Sequence, residues 1–180
     1  MKHKVFKIFL AFQYEKEEKW LNEMSAKGLQ LTDVALFIYT FTDNEPENYI
    51  YRLEMLDDLP SSAKGSAYIR FLEDMGVEYI GSMVRWIYVR KPASEGPFDL
   101  YSDIESKIKH YSRIRNLMLI LFICFLPLAI SNSIHAFGED ATLPIVPIVL
   151  HLCAEILLGL AALLPQLKIN KLKKEGFLRE

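Results

Sequence analysis

Two long apolar runs in the C-terminal third of the chain constrain its architecture more than any other feature. The first spans residues 116–134 (NLMLILFICFLPLAISNSI) and the second spans residues 143–167 (LPIVPIVLHLCAEILLGLAALLPQL). About 20 mostly apolar helical residues cross a bilayer core of roughly 30 Å. Because backbone N–H and C=O groups must be paired within a segment that crosses hydrocarbon, both runs are predicted to be helices. The sequence therefore predicts a two-helix transmembrane hairpin.

Basic residues flank the hairpin on the side away from its connecting loop. They are Lys107, Lys109, Arg113 and Arg115 before the first run, and Lys168, Lys171, Lys173 and Lys174 after the second. The predicted external loop, residues 135–142, contains neither Lys nor Arg. The positive-inside rule then predicts a multi-pass protein of the cell membrane with both termini in the cytoplasm. Residues 168–180 become a basic cytoplasmic tail.

The residues before the hairpin have the composition of one compact domain. Residues 1–100 contain 12 Lys and Arg against 16 Asp and Glu, so the surface offers no broad basic face for a phosphate backbone. Direct nucleic-acid binding is therefore not expected. Both cysteines, Cys124 and Cys153, lie in the apolar runs, which excludes a secreted disulfide scaffold. The N-terminus lacks a small-residue cleavage site, so residues 4–12 are predicted to form a strand rather than a signal peptide.

The pattern of elements within residues 1–92 repeats. The first half reads as a strand, a helix over residues 15–28 ending at Gly28, and strands over 28–34 and 36–42. The second half reads as a strand over 49–55, a helix over 67–76 ending at Gly76, and strands over 77–80 and 84–91. This duplicated βαββ unit predicts an α+β two-layer sandwich, with both helices on one face of an antiparallel sheet.

Residues 93–115 connect this cytoplasmic domain to the membrane. The segment KPASEGPF is typical of a linker, and residues 100–115 place Ile104, Ile108 and Tyr111 at helical intervals. Ser102 is the predicted N-cap, with Glu105 three residues later. We expect this juxtamembrane helix to continue into the first transmembrane helix.

The sequence resembles a bacterial family catalogued as domain of unknown function 2812, and the residues at several positions carry this resemblance. They are Glu18, Trp20, Leu21, Met24, Gly28 and Leu31, then residues 51–54 (YRLE), then Glu73, Gly76 and Glu78, and finally residues 86–91 (WIYVRK). The resemblance covers about residues 4–115. The sequence departs from the family pattern at Leu29 and Val77, where an aromatic is usual, and at Glu54, where Asp is expected. The resemblance implies no established activity and a functional link to small PadR-like transcriptional regulators.

Glu155 is the strongest candidate for a functional residue in the hairpin. It lies about 12 residues into the second run, where an unpaired charge is costly, and His151 precedes it by one turn. In the first run Pro127 cannot donate a hydrogen bond, which frees the carbonyl oxygen of Ile123 at the same depth. A protonated Glu155 is predicted to donate there. Interhelical polar packing is the favoured role, proton or ion transfer is the alternative, and a metal site that adds Cys124 and Cys153 ranks last.

In the N-terminal domain, Arg52 and Glu54 are predicted to form a polar cluster on the domain surface, joined by Arg85 or Glu78. Trp20 and Trp86 are assigned to equivalent positions of the two repeats and to the core. The domain contains no Ser-His-Asp pattern, phosphate-binding glycine loop or carboxylate pair with a base, and we expect neither an enzyme nor a bound cofactor or metal.

Two functional classes remain. The first is a regulatory, non-catalytic binding or signalling domain that the hairpin anchors to the bilayer, with a protein partner or a second copy of the chain. The second is a transport-related or membrane-sensing component that uses Glu155 and His151. Because two helices alone enclose no pathway, the second class requires an oligomer or partner subunits, and the first is preferred.

Overall fold

The computed structural model describes residues 1–43, 48–101, 103–137 and 145–177. The chain forms two compact units, Met1–Asp103 and Ile104–Glu180, which are described separately below. Three predicted features lie outside the described residues: the turn near residues 44–47, the N-cap at Ser102 and most of the external loop.

The first unit contains the repeated βαββ order. Its elements are β1 (Lys2–Phe6), a 3₁₀ turn (Ala11–Gln13), α1 (Tyr14–Ser25), β2 (Leu29–Ala35), β3 (Ile38–Asp43), β4 (Tyr49–Met55), α2 (Ala63–Asp74), β5 (Glu78–Met83), β6 (Trp86–Pro92) and a second 3₁₀ turn (Ala93–Glu95). Each half forms a three-stranded antiparallel sheet, in the orders β1–β3–β2 and β4–β6–β5. The predicted α+β class and the duplication are confirmed, and the six strands divide between two sheets rather than forming one.

The two repeats share details beyond strand order. Gly28 and Gly76 both follow a helix with positive φ, 81° and 80°, a conformation that costs glycine little. The pairing of β2 with β3 shifts register between Leu31 and Asp33, and the pairing of β5 with β6 shifts between Tyr79 and Gly81. The same helix end and the same irregularity therefore recur in both halves.

Two sequence predictions about this unit are wrong. β1 ends at Phe6 rather than at residue 12, because its partner β3 begins at Ile38, which pairs with Phe6. Beyond the Lys7 N–H bond to the Phe37 carbonyl, no strand is left for the chain to pair with. Trp20 and Trp86 are also not equivalent, since Trp20 lies in α1 and Trp86 lies in β6.

The second sheet has its own apolar core under α2. Leu56, Ile69, Leu72, Val77, Ile87, Val89 and Phe98 form this buried cluster. The two sheets meet at β2 and β5, where a Cβ atom on Gly81 would lie 3.4 Å from Cγ1 of Val34. This contact between β2 and β5 joins the two repeats into one folded unit.

Helix α1 closes the outer edge of β4. The N–H groups of Tyr49, Tyr51 and Leu53 donate to side chains of Ser25, Asn22 and Glu18, at 2.9, 2.7 and 2.8 Å. Alternate residues of the strand thus meet side chains spaced three and four apart on the helix, which is the spacing of one helical face. An edge strand would otherwise leave these donors unpaired.

The second unit consists of two antiparallel helices, α3 (Ile104–Phe137) and α4 (Ile145–Phe177). Both are long and apolar enough to cross a membrane. The predicted continuation of the juxtamembrane helix into the first apolar run is confirmed, because α3 is unbroken across both. Residues buried on α4 include Ile148, Glu155, Ala162 and Ile169, which recur every seven residues as in the seam of a left-handed helix pair.

Candidate functional site

A buried carboxylate links the two sheets of the first unit. Glu17 on α1 is 5% exposed, and its Oε1 accepts the hydroxyl of Tyr39 from β3 at 2.7 Å and that of Tyr88 from β6 at 2.6 Å. Burial raises the pKa of Glu17, although both hydroxyl donors oppose the rise. Burial, followed by the adjacent Glu17, likewise raises the pKa of Tyr39 and Tyr88. The three side chains form one enclosed network, which connects α1 to both sheets.

Glu18, the next residue, accepts a hydrogen bond from the Leu53 N–H at the edge of β4. Burial raises its pKa to about 7, while the Leu53 N–H donor and the charge of Arg52 act in the opposite direction. The sequence predicted the helix that contains Glu17 and Glu18, but no role for either side chain. The helical stripe Glu17, Leu21 and Ser25, all buried, is the signal that could have identified the first of these carboxylates.

The predicted Arg52–Glu54 cluster is arranged differently from the expectation. Glu54 is buried and accepts the hydroxyl of Tyr68 at 2.7 Å, whereas Arg52 is half-buried and donates to a backbone carbonyl. Arg85 also donates to a backbone carbonyl, and Glu78 pairs with an arginine across the β5–β6 hairpin. The four residues therefore have separate partners, and a functional role for Arg52 and Glu54 stays a prediction.

An apolar surface at one end of the first sheet was not predicted. Phe6, Ile8, Leu36 and Ile38, here named the β1 patch, are between 40% and 69% exposed. Phe6 pairs with Ile38 across the strands, and its ring meets that of Phe37 edge to face at 6.5 Å. Clustered exposed apolar side chains on a soluble surface typically mark an interaction site. Phe6 and Ile8 are two residues apart, as are Leu36 and Ile38, but the sequence did not reveal that the two pairs lie side by side.

Glu155 is buried within the helical unit, as its sequence context suggested, but without the predicted partner. It is 5% exposed, and neither carboxylate oxygen has a hydrogen-bond partner among the described residues. The predicted bond to the carbonyl oxygen of Ile123 is absent. Ile123 and Pro127 both lie on the exposed face of α3, whereas Glu155 lies on the buried face of α4. The prediction considered depth along the two helices but not the rotation of α3 about its axis.

A small cavity adjoins Glu155. It has a volume of about 150 Å³ and is lined by Phe125, His151, Ala154, Glu155 and Leu158. Nε2 of His151 lies 3.4 Å from the carbonyl oxygen of Phe125, to which it donates. The structure thus brings the two predicted intramembrane residues, Glu155 and His151, to one cavity.

The cysteines do not join this cavity. Cys124 and Cys153 are both exposed on the outer faces of their helices. Within the part of the chain that the structure describes, no group of three or more His, Cys, Asp or Glu side chains is placed to hold a metal ion. The arrangement around Glu155 can therefore offer one carboxylate, the His151 imidazole and the Phe125 ring, but no group of three metal ligands among the described residues.

The comparisons with known proteins agree with the resemblance seen in the sequence. No curated protein and no solved structure matches the chain. The matched residues begin just before α1 and continue into α3, so they include most of the first unit and the start of the helical pair. Residues 13–123 match the family described as Protein of unknown function (DUF2812), and the chain belongs to that family.

Proposed function

We propose that this protein is a membrane-anchored, non-catalytic binding module whose first unit engages a protein partner at the cytoplasmic face of a membrane. In this proposal α3 and α4 both cross the bilayer and both termini are cytoplasmic. The β1 patch is the observation that carries the proposal, because it leaves four large apolar side chains exposed next to one another at one end of the first sheet.

The buried polar groups of the first unit support a binding role over catalysis. Burial raises the pKa of Glu17 and of Glu18, and both carboxylates accept hydrogen bonds that hold the fold together. A catalytic acid or base needs access to a substrate proton. The β1 patch, in contrast, is exposed and apolar, which suits association with another protein.

Photo-crosslinking in intact membranes tests the partner. A photoreactive residue at Leu36, within the β1 patch, is compared with one at Val84, which is 74% exposed in the corresponding hairpin turn of the second sheet. We expect a discrete protein adduct from position 36 that disappears in a Phe6→Ser/Ile38→Ser variant. The adduct mass distinguishes a second 20.8 kDa copy of this chain from another protein, such as a small PadR-like regulator. Equal adducts from both positions, or none from position 36, would contradict the proposal.

Cysteine labelling tests the orientation. After replacement of Cys124 and Cys153 by serine, single cysteines are placed at Gly138, Ser94 and Gly176. An impermeant maleimide added to whole cells should label position 138 only. A cluster of basic residues lies between each of the other two sites and the adjacent membrane helix, which places those sites in the cytoplasm. Labelling of position 176 from outside would overturn the proposed topology.

A second function is favoured by the cavity beside Glu155. A transport-related or membrane-sensing component would use a buried carboxylate that the helix pair leaves unpartnered. If Glu155 carries protons, Glu155→Gln abolishes flux in reconstituted vesicles, since an amide of equal size cannot titrate. Full flux in Glu155→Gln would remove this proton-transfer role.

A further inference from the structure

We propose that the cavity between α3 and α4 binds a small lipophilic ammonium ion, with Glu155 as its counter-ion. This inference deepens the second proposed function by naming a ligand class, and it rests on that function for placing the helices in a bilayer.

Glu155 is a buried carboxylate without a hydrogen-bond partner among the described residues. The side chain is 5% exposed and lines the cavity, and both of its oxygens lack a hydrogen-bond partner among the described residues. Buried polar groups in native proteins are nearly always paired, and each exception calls for an explanation. A ligand that brings positive charge and N–H donors supplies what both oxygens lack.

The remaining lining of the cavity is mostly apolar. Besides Glu155 it consists of Phe125, Ala154, Leu158 and His151, so His151 is the other polar side chain. Nε2 of His151 already donates to the carbonyl oxygen of Phe125. Phe125 is 45% exposed, so the cavity is open to a ligand from outside the helix pair.

The volume and the lining of the cavity limit the size and the polarity of a ligand. A cavity of about 150 Å³ accommodates a molecule of roughly the size of benzene. The ring of Phe125 meets the ring of His151 at a centroid distance of 6.3 Å, so aromatic surface borders the same space as the carboxylate. Aromatic faces attract cations, and apolar walls favour a lipophilic body. An arylalkyl ammonium ion satisfies all three conditions.

The experiment uses the full chain in lipid nanodiscs and 4-fluorobenzylammonium as the probe. Binding is followed by ¹⁹F NMR line broadening, with protein-free nanodiscs measured in parallel to correct for partitioning into lipid. Glu155→Gln keeps the size of the side chain but removes its charge, and Glu175→Gln is the matched control. Glu175 lies on the same helix in an exposed pair with Lys171 at 3.9 Å.

We expect saturable binding to the unmodified chain and to Glu175→Gln, and at least about tenfold weaker binding to Glu155→Gln, as for loss of a charged hydrogen bond. Ala154→Leu, which fills the cavity and keeps Glu155, should also abolish binding. The neutral probe 4-fluorobenzyl alcohol should bind no more weakly to Glu155→Gln than to the unmodified chain. Circular dichroism and elution volume confirm that each variant is folded.

Equal affinity of the ammonium probe for the unmodified chain and Glu155→Gln would overturn the proposal, as would binding that survives Ala154→Leu. Binding at this site without flux of the probe in reconstituted vesicles would retain the ligand site and reject the transport function. Flux of protons without probe binding would reject the ligand site and retain transport.

Discussion

Glu17 and Glu155 are buried to the same extent in two different kinds of structure. Each is 5% exposed. Glu17 lies between two sheets, where the hydroxyls of Tyr39 and Tyr88 donate to one of its oxygens. Glu155 lies in the seam of two apolar helices, where neither oxygen has a partner among the described residues.

Two glutamates with equal burial therefore have different roles. A carboxylate paired on both sides of a core contributes to the fold, because loss of its acceptor oxygens would leave buried hydroxyls unpaired. A carboxylate without donors contributes a cost in the absence of a ligand or partner. The first unit is therefore complete in its polar contacts around α1, whereas the helical unit is incomplete around α4.

The largest effect is expected from Glu17→Leu. Replacing this side chain leaves two buried tyrosine hydroxyls without their acceptor, and the free energy of unfolding should fall by about 3–5 kcal/mol. Tryptophan fluorescence during urea unfolding measures it, because both tryptophans, Trp20 and Trp86, lie in the first unit. Glu23→Leu, an exposed position on the same helix, should change the value by less than about 0.5 kcal/mol. Equal effects of the two variants would remove the contrast with Glu155.

Glu18 gives the first unit a pH dependence. Its pKa rises from an ordinary 4.5 to about 7 on folding, so between these values the folded state holds a proton that the unfolded state has released. Its contribution to stability is therefore complete below pH 4.5 and is lost as the pH rises to about 7. Relative to Glu18→Gln, the unmodified chain should lose on the order of 2–3 kcal/mol across this window. Parallel stability curves for the two proteins would show that Glu18 does not titrate in this way.

Asn22 tests the closure of β4 by α1. Its Oδ1 accepts the Tyr51 N–H at 2.7 Å, and its Nδ2 donates to the Tyr51 carbonyl oxygen at 3.4 Å. Asn22→Ala should lower the free energy of unfolding by about 1–2 kcal/mol, because a strand-edge donor loses its partner. Asn22→Asp keeps the shorter bond and should cost less. If alanine and aspartate are equally costly, the longer bond or the helix itself carries the effect.

The smallest effect is expected from Glu155→Leu. Since Glu155 makes no hydrogen bond within the helix pair, leucine should leave the pair unchanged or stabilise it by up to about 1 kcal/mol. Loss of helical circular dichroism during an SDS titration in mixed micelles measures this change. A destabilisation of about 0.6–2 kcal/mol would instead identify Glu155 as interhelical glue.

Local patterns in the sequence determined the elements and their order. Strict alternation predicted β4 over residues 49–55, and the structure has Tyr49–Met55. Two uninterrupted apolar runs predicted two long helices, and the repeated order of strands and helices predicted the α+β class. Periods of two and 3.6 residues record which side of one element is buried, so these features are legible within a short window.

The contacts between these elements depend on packing across the whole fold. Tyr88 lies 71 residues from Glu17, and the side chains of α1 meet the backbone of a strand in the other repeat. Nor did the sequence reveal that Ile123 faces away from Glu155, since spacing along a helix sets depth, while the rotation of the helix depends on every contact along its seam. Contacts between residues far apart in the chain depend on packing that no local period encodes, and both buried glutamates acquired their environments in that way.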